Sequence, residues 1–455
     1  MTASALPVDV TRQPRGLPLL FFTEMWERFS FYGMRALLVL YLIDQTAGFG
    51  WSQERASRLY GWYTGLVYLT PILGGYLADR YLGTARSLVI GGSIIALGHF
   101  TMAGETPLLF YIGLCLIVIG TGFFKANVST LVGQLYGEND PRRDAGFTIF
   151  YMGINVGGFL GPLVCGWLAA DPRFGWSYGF AAAGVGMVLG LITFTLLKTK
   201  YLGDVGGAPT AASRASAALA REPLTREEKD RIMAICIVSF FVTFFWLAFE
   251  QAGSSLNVFA QDRTQRVVTG ALASVVPNGE IPAAWFQSVN SFFIIACAPL
   301  VALIWQKMGP RQPSTPMKMA IGLMFVGLGF AVAVPGAFGA DHGTLSSPWV
   351  LVALYLLHSL GELCLSPVGL SFVSKVAPLK IASAMMGVWF LANFLANLIG
   401  GYVAGTIERV ARGDFGSILG GQADFFLLFV ITSLIAAAVL FLMVPTLKRL
   451  MHGRG

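Results

Sequence analysis

The sequence is poor in charged residues. Only 12% of its 455 residues are Asp, Glu, Lys or Arg, whereas a soluble domain usually carries about 25%. Hydrophobic residues make up 55% of the chain. This composition excludes a disordered chain, a nucleic-acid-binding protein and most soluble enzymes. The formal net charge of +7 must therefore be interpreted from where the basic residues lie.

Histidine and cysteine are scarce, and neither is arranged for catalysis or metal binding. The chain has 4 His and 5 Cys, and every Cys lies in an apolar run without CxxC or Cys/His spacing. We expect small buried thiols, with no disulfide framework and no metal site. Since no Ser/His/Asp or Cys/His pattern is visible either, the sequence predicts neither an enzyme nor a cofactor. For His358, four residues before Glu362, we favour a packing role over proton transfer.

Twelve apolar runs are long enough to cross a bilayer. They lie at 17–44, 52–78, 86–103, 107–135, 143–170, 176–198, 230–260, 282–307, 316–337, 348–376, 380–408 and 421–447. The first run is too long for a signal-peptide core, so we expect it to be the first span. The sequence therefore predicts an all-α polytopic membrane protein.

A polar, small-residue linker divides the runs six and six. It predicts an N-terminal bundle over 1–198, a flexible linker over 199–229 and a C-terminal bundle over 230–455. Thr225 and Glu228 have the spacing of a capping box that would start the seventh helix. Most of the 31 Lys and Arg residues fall on the side of the linker and both termini. That asymmetry predicts that these parts are cytoplasmic.

Seven ionisable residues lie inside the predicted spans. Each costs about 2.5–3.5 kcal/mol at the centre of a bilayer, so together they would cost on the order of 20 kcal/mol if unpaired. They are Glu24, Glu27, Arg28, Arg35, Lys125, Glu250 and Glu362. Glu24 and Arg28 are four residues apart, on one helix face. Static internal ion pairs are one interpretation, and a polar cavity between the halves that binds a charged solute and titrates protons is the favoured one.

Several motifs resemble those of known transporters. GGYLADRYLGTAR, at Gly74–Arg86, resembles the loop between helices two and three of the major facilitator superfamily. Other segments resemble signatures of the proton-dependent oligopeptide transporter family within it. They are FFTEMWERFSFYGMRALLVLYL, GTGFFKANVSTLVGQLY, FYMGINVGGFLGP, EQAGSSLNVFA and GELCLSPVGLSFVSKVAP. The resemblance implies twelve helices in two six-helix bundles, without the two extra inter-bundle helices of many bacterial members.

The resemblance also implies a function and roles for particular residues. It implies symport of protons with dipeptides or tripeptides into the cell by a monomer of the inner membrane, with the proton as coupling ion. The implied proton-coupling residues are Glu24, Glu27, Arg28 and Lys125. For the peptide substrate, the resemblance implies that its carboxylate is bound by Arg35 and Lys125, and its amino terminus by Glu362, Asn155 and Asn290. Its side chains would contact Tyr32, Tyr68, Trp285 and Trp389. Glu250 and Ser366 are the other implied substrate residues. The implied gating residues are Arg35 with Glu250 outside, Lys125 with Glu362 inside, and Asp79 and Arg86 in the loop.

Three alternatives remain open at this point. A transporter of another small solute such as nitrate would share the fold, but the acidic Glu362 favours zwitterions. A drug exporter of the same superfamily should tolerate loss of Arg35. A membrane-embedded enzyme or peptide sensor would need a catalytic constellation or a soluble domain, and the sequence suggests neither. The chain departs from the family pattern at Phe31, where a tyrosine is usual, and at Ala126, where proline is common.

Overall fold

The chain folds into long, nearly parallel or antiparallel helices. A computed structural model describes residues 12–137, 140–207 and 223–454. Within these ranges there are twelve long helices. They are α1 (Gly16–Ile43), α2 (Gln53–Leu77), α3 (Thr84–Met102), α4 (Pro107–Gln134), α5 (Arg143–Ala170), α6 (Trp176–Tyr201), α7 (Arg226–Phe249), α8 (Phe286–Met308), α9 (Thr315–Asp341), α10 (Pro348–Val376), α11 (Ala382–Ala404) and α12 (Gly421–Leu450).

The predicted twelve spans are confirmed, with two instructive differences at their boundaries. The seventh helix begins at Arg226, four residues before its apolar run, because its first turn is polar. That turn is held by the expected capping box. The Thr225 hydroxyl accepts a hydrogen bond from Glu228 N at 3.2 Å, and the Glu228 carboxylate accepts one from Thr225 N at 2.8 Å. The eleventh apolar run ends in a separate short helix, Ile407–Ala411.

Most of these helices have the length and hydropathy of membrane spans. Ten of them do so among the described residues, the exceptions being α1 and α2. Helix α1 carries two glutamates and two arginines, and glycine and tyrosine lower the mean hydropathy of α2. Both helices have many buried residues, so protein surrounds much of their polar surface. The chain is a multi-pass membrane protein.

The two halves are built on the same packing plan. In the first half α1 packs against α5 and α6, α4 against α2 and α3, and α3 against α6. In the second half α7 packs against α11 and α12, α10 against α8 and α9, and α9 against α12. These are equivalent pairs, six helices apart. The halves join where α2 packs against α11 and α5 against α8.

Glycines allow the helices to approach closely at these junctions. A Cβ on Gly157 would lie 2.2 Å from Met25 O, and one on Gly161 would lie 2.4 Å from Phe29 O, so α5 lies directly on the backbone of α1. A Cβ on Gly401 would lie 2.6 Å from Gly61 Cα, where α11 crosses α2. The small-residue faces of the fifth and eleventh helices are therefore contact faces.

The molecule has two ends, which we call the linker side and the far side. The linker side holds the α2–α3, α4–α5 and α6–α7 connections, and the far side holds the α1–α2, α5–α6 and α7–α8 connections. On the linker side, Ala85 N donates to Gly206 O at 3.0 Å, so the start of the linker is bound to the first bundle. Residues 208–222 of the predicted linker lie outside the described residues, and its last residues, from Arg226, already belong to α7.

The expectation of buried thiols is wrong for part of the set. Cys165 and Cys364 are buried, whereas Cys115 and Cys236 are exposed on α4 and α7. Both exposed residues lie on apolar helices that qualify as membrane spans. A small apolar side chain is as stable against lipid as inside a bundle, so an apolar run does not by itself predict burial.

Candidate substrate and proton site

A buried charge cluster occupies the middle of α1. Arg28 Nε lies 3.0 Å from Glu24 Oε1 and also contacts Glu27 Oε2, and the three residues are 1–4% exposed. Gly157 of α5 lies against Arg28, where any larger side chain would collide. Two carboxylates share one guanidinium, and Glu24 Oε2 has no hydrogen-bond partner within the described residues. The cluster thus holds two carboxylates against a single basic partner.

Arg35 and Glu250, the pair predicted to form the outer gate and called the gate pair below, join the two bundles on the far side. Arg35 Nη2 lies 2.9 Å from Glu250 Oε2, and both residues are about 5–6% exposed. Glu250 lies where α7 gives way to a 3₁₀ turn, Glu250–Gly253, followed by the short helix Ser255–Arg263. A buried ion pair is favourable only with good geometry and further hydrogen bonds.

Tyr60 of α2 supplies such hydrogen bonds, and the sequence analysis missed it. Its hydroxyl accepts a hydrogen bond from Arg35 Nε at 2.8 Å and donates to Glu250 Oε2 at 3.5 Å. Its ring fills the space beside Gly253, where a Cβ would lie 2.0 Å from the hydroxyl. Nothing in the local sequence distinguishes Tyr60 from the other tyrosines of α2.

Glu362 of α10 is the centre of a second polar group at mid-depth. Asn290 Nδ2 donates to Glu362 Oε2 at 3.2 Å and lies 3.0 Å from Ser359 Oγ. Tyr151 of α5 donates its hydroxyl to Glu362 Oε1 at 3.4 Å, across the two bundles. The Asn155 amide instead donates to Tyr151 O at 2.9 Å within its own helix. The structure thus brings Asn290 to Glu362 but does not bring the Asn155 amide group to it.

The two predicted gate pairs differ in their contacts. Lys125 Nζ lies 3.8 Å from the centre of the Tyr68 ring. Within the part of the chain that the structure describes, Lys125 and Glu362 form no ion pair, while Arg35 and Glu250 do. Other inter-bundle hydrogen bonds also lie toward the far side, including Ser288 Oγ to Phe159 O at 2.7 Å. The bundles are therefore in contact on the far side, whereas Lys125 and Glu362 are not paired with each other.

The predicted aromatic residues lie at different places. Tyr32 is half-buried, with the Arg35 guanidinium 5.5 Å from its ring centre. Trp285 lies toward the far side, where its indole N–H donates to Leu163 O at 2.9 Å. Trp389 is 5% exposed and packs on Gly369 inside the second bundle. Of the predicted aromatic residues, Tyr32 and Tyr68 thus lie beside the charged groups between the bundles.

Two half-buried residues lie one helical turn from the central acids. Ser366, which was predicted, follows Glu362 by four residues on α10, and Trp246, which was not, precedes Glu250 by four residues on α7. Trp246 packs edge-on against Phe249 with ring centres 5.3 Å apart. Spacing of four residues from a buried acid is the signal that would have identified Trp246.

Asp79 and Arg86, the predicted loop residues, lie at the linker-side turn between α2 and α3. Both are exposed. The turn ends at Gly83, whose φ of 79° requires glycine, and the linker backbone at Gly206 and Gly207 lies against it. The motif thus forms the surface on which the linker begins.

His358 is in a packing position, as expected. It is 1% exposed and lies between Phe249 and Phe330, with ring centres 5.9 and 5.0 Å away. Its Nε2 lies 3.3 Å from Val326 O of α9. Its ring therefore points away from the Glu362 carboxylate, into the second bundle.

Comparison with known proteins identifies the family. The profile described as "POT family" matches residues 85–205 and 210–418. The chain is 36% identical to "Peptide transporter YePEPT" of Yersinia enterocolitica subsp. palearctica serotype O:3, over 97% of this chain and 96% of that protein. It is 32% identical to a "Di-/tripeptide transporter" of Lactococcus lactis subsp. cremoris, over 90% and 92%.

Solved structures of POT transporters have the same fold as this chain. A "peptide transporter POT in complex with sulfate" superposes with a TM-score of 0.84 and 36% identity, over 97% of this chain and 96% of that one. A "POT family transporter in complex with 5-aminolevulinic acid" gives a TM-score of 0.85 and 30% identity, over 96% and 97%. With two six-helix bundles, a buried acid–arginine cluster and these relatives, the chain belongs to the POT family of membrane transporters.

Proposed function

We propose that the protein is a proton-coupled symporter that imports dipeptides and tripeptides by alternating access. The family and the named activities of its relatives support this function. The observation that carries it is the pairing, in one molecule, of a proton-accepting cluster on α1 with basic and acidic groups between the bundles.

The separation of charge suits a zwitterion. Basic Lys125 and Arg35 come from the first bundle, and acidic Glu362 comes from the second. A peptide has a carboxylate at one end and an ammonium at the other, so it can bind the basic groups of the first bundle and the acidic group of the second at the same time. Asn290, already bonded to the Glu362 carboxylate, offers an amide for the peptide backbone. Nitrate has no positive charge, so a nitrate transporter would gain no binding energy from Glu362.

Proton coupling follows from the shared guanidinium on α1. Protonation of either carboxylate leaves one acid paired with Arg28 and reduces the negative potential near Lys125. The bases between the bundles then bind the peptide carboxylate more strongly. One charge moved across 100 mV provides about 2.3 kcal/mol, or roughly 50-fold accumulation before any pH gradient.

We propose that the observed arrangement of the helices is the one that opens toward the cytoplasm. The excess of basic residues supports a cytoplasmic linker side with both termini inside, in a bacterial inner membrane, and we propose that the monomer is the transporting unit. On this assignment the intact pair of Arg35 and Glu250 closes the outside, and the separated Lys125 and Glu362 leave the inside open.

Uptake of labelled dialanine into proteoliposomes tests the function. We expect accumulation of intact peptide with an inward proton gradient, and Glu24→Gln should retain only passive exchange. Glu54→Gln is the matched control, since Glu54 also pairs with an arginine four residues on but is 44% exposed at the membrane surface. Absence of dipeptide uptake by the wild type would refute the proposal. Hydrolysed peptide would revive the enzyme alternative.

A further inference from the structure

A second cavity lies on the far side, outside the closed gate. It has a volume of about 910 Å³, within the range of roughly 300–1,000 Å³ that small-molecule sites occupy. Its apolar lining includes Leu37 and Leu40 of α1 and Val258 of the short helix after α7. Leu37 comes two residues after Arg35 on α1, so this cavity begins within one helical turn of the gate pair.

The lining of this cavity is strongly acidic. The charged residues in contact with it are Asp44, Asp171, Asp262, Glu280, Glu408 and Arg266. Asp171 pairs with Arg173 at 2.7 Å, and Glu280 pairs with Arg266 at 3.1 Å. Within the described residues, the other three carboxylates form no ion pair.

The walls of the cavity are built by both bundles. The segment 264–285 forms a hairpin, in which Val268 N donates to Gly279 O and Ile281 N donates to Arg266 O, both at 2.9 Å. The hairpin is bound to the first bundle, because the Trp167 indole N–H donates to Val275 O at 2.9 Å. On the opposite side, the Trp176 indole N–H donates to Asp44 at 2.8 Å, which holds that carboxylate at the cavity.

We propose that this cavity is an outer vestibule that binds peptides carrying a lysine or arginine side chain before the far-side gate opens. The inference rests on the proposed function, since a ligand arriving from outside must cross this space. Three carboxylates without an ion pair, Asp44, Asp262 and Glu408, lie in a concave, partly apolar site, and such a site concentrates cations by electrostatic focusing. The Trp176 ring, which holds Asp44 in place, lies in the same lining and adds an aromatic surface for an alkyl-ammonium or guanidinium group.

The test measures initial uptake of Lys-Ala and Ala-Ala by right-side-out vesicles, for wild type and Asp262→Asn/Glu408→Gln. For the double variant we expect the KM for Lys-Ala to rise about threefold or more at low salt, with the KM for Ala-Ala unchanged. Asp414→Asn is the control, because Asp414 is a far-side acid that pairs with Arg409 at 3.3 Å and does not line the cavity.

Ionic strength provides a measurement that needs no variant. Raising salt from about 0.01 M to about 0.15 M shortens the Debye length from roughly 30 Å to roughly 8 Å. The preference of the wild type for Lys-Ala over Ala-Ala should fall accordingly. A preference independent of salt, or equal effects of the double variant and the control, would overturn the vestibule while leaving peptide transport intact. Failure of the wild type to take up Ala-Ala would instead overturn the proposed function, and the vestibule with it.

Discussion

Substitution of Gly401 by alanine is expected to weaken closure of the far side. A Cβ at this position would lie 2.6 Å from both Gly61 Cα and Ser57 O of α2. Both neighbours belong to a helix backbone, so neither can move aside as a flexible side chain would. Overpacking a tight contact costs about 1–3 kcal/mol. Because this contact joins the two bundles, that cost falls on the closed state and changes the conformational equilibrium by about 5- to 150-fold.

The opening can be measured by the distance between spin labels on the far side. Ala47 and the side chain of Ile418 are exposed in the first and second bundle respectively, so cysteines there would report the separation of the bundles. We expect wild type to give one short distance and Gly401→Ala to add a longer one, with slower dialanine uptake. Gly387→Ala is the matched control, because it lies on the same helix and its Cβ would meet nothing within 4 Å. Identical distance distributions for the two variants would refute the reasoning.

Two further predictions concern a hydroxyl and a loop carboxylate. Tyr60→Phe removes the hydroxyl that is hydrogen-bonded to both Arg35 and Glu250. The shorter of the two bonds, from Arg35, is worth about 0.5–1.5 kcal/mol, so uptake should slow about two- to tenfold. Tyr63→Phe should match the wild type, because the Tyr63 hydroxyl has no hydrogen-bond partner among the described residues. Hydrogen bonds from the side chain and backbone of Arg142 lower the pKa of Asp140 to about 2. The ionised Asp140 carboxylate therefore stabilises the fold at any pH above its unfolded pKa near 4, and this stabilisation is lost as the pH falls through about 2. Asp140 does not change its charge between about pH 5 and 8, so Asp140→Asn should leave the pH profile of uptake in that range unchanged. A shifted profile would show that this loop takes part in coupling.

The helices could be predicted because each apolar run must satisfy its backbone within the membrane. Local signals were equally reliable, such as the capping box at Thr225 and the spacing of four residues between Glu24 and Arg28. The pairing of Arg35 with Glu250 was inferred from family resemblance, since the two residues are far apart in sequence.

Residues whose roles depend on tertiary contact were harder to predict. Tyr60 reaches the gate pair across a helix boundary, beside Gly253, where any larger residue would collide with its hydroxyl. Tyr151 reaches Glu362 from the other bundle. Trp285 was expected in a side-chain pocket, but the 3₁₀ turn before α8 holds it at the far-side junction. Sequence patterns specify helices and their faces, whereas the conformational state depends on small differences between alternative inter-bundle contacts.

The interruption of the seventh helix has a mechanical consequence. Glu250, the partner of Arg35, is the first residue of the break, and the short helix Ser255–Arg263 follows it on the far side. That short helix carries Val258 and Asp262, which line the far-side cavity. The lining of the cavity and the carboxylate that joins the two bundles therefore belong to one continuous segment, with only the 3₁₀ turn between them. A displacement of the short helix would be transmitted directly to the Arg35–Glu250 ion pair.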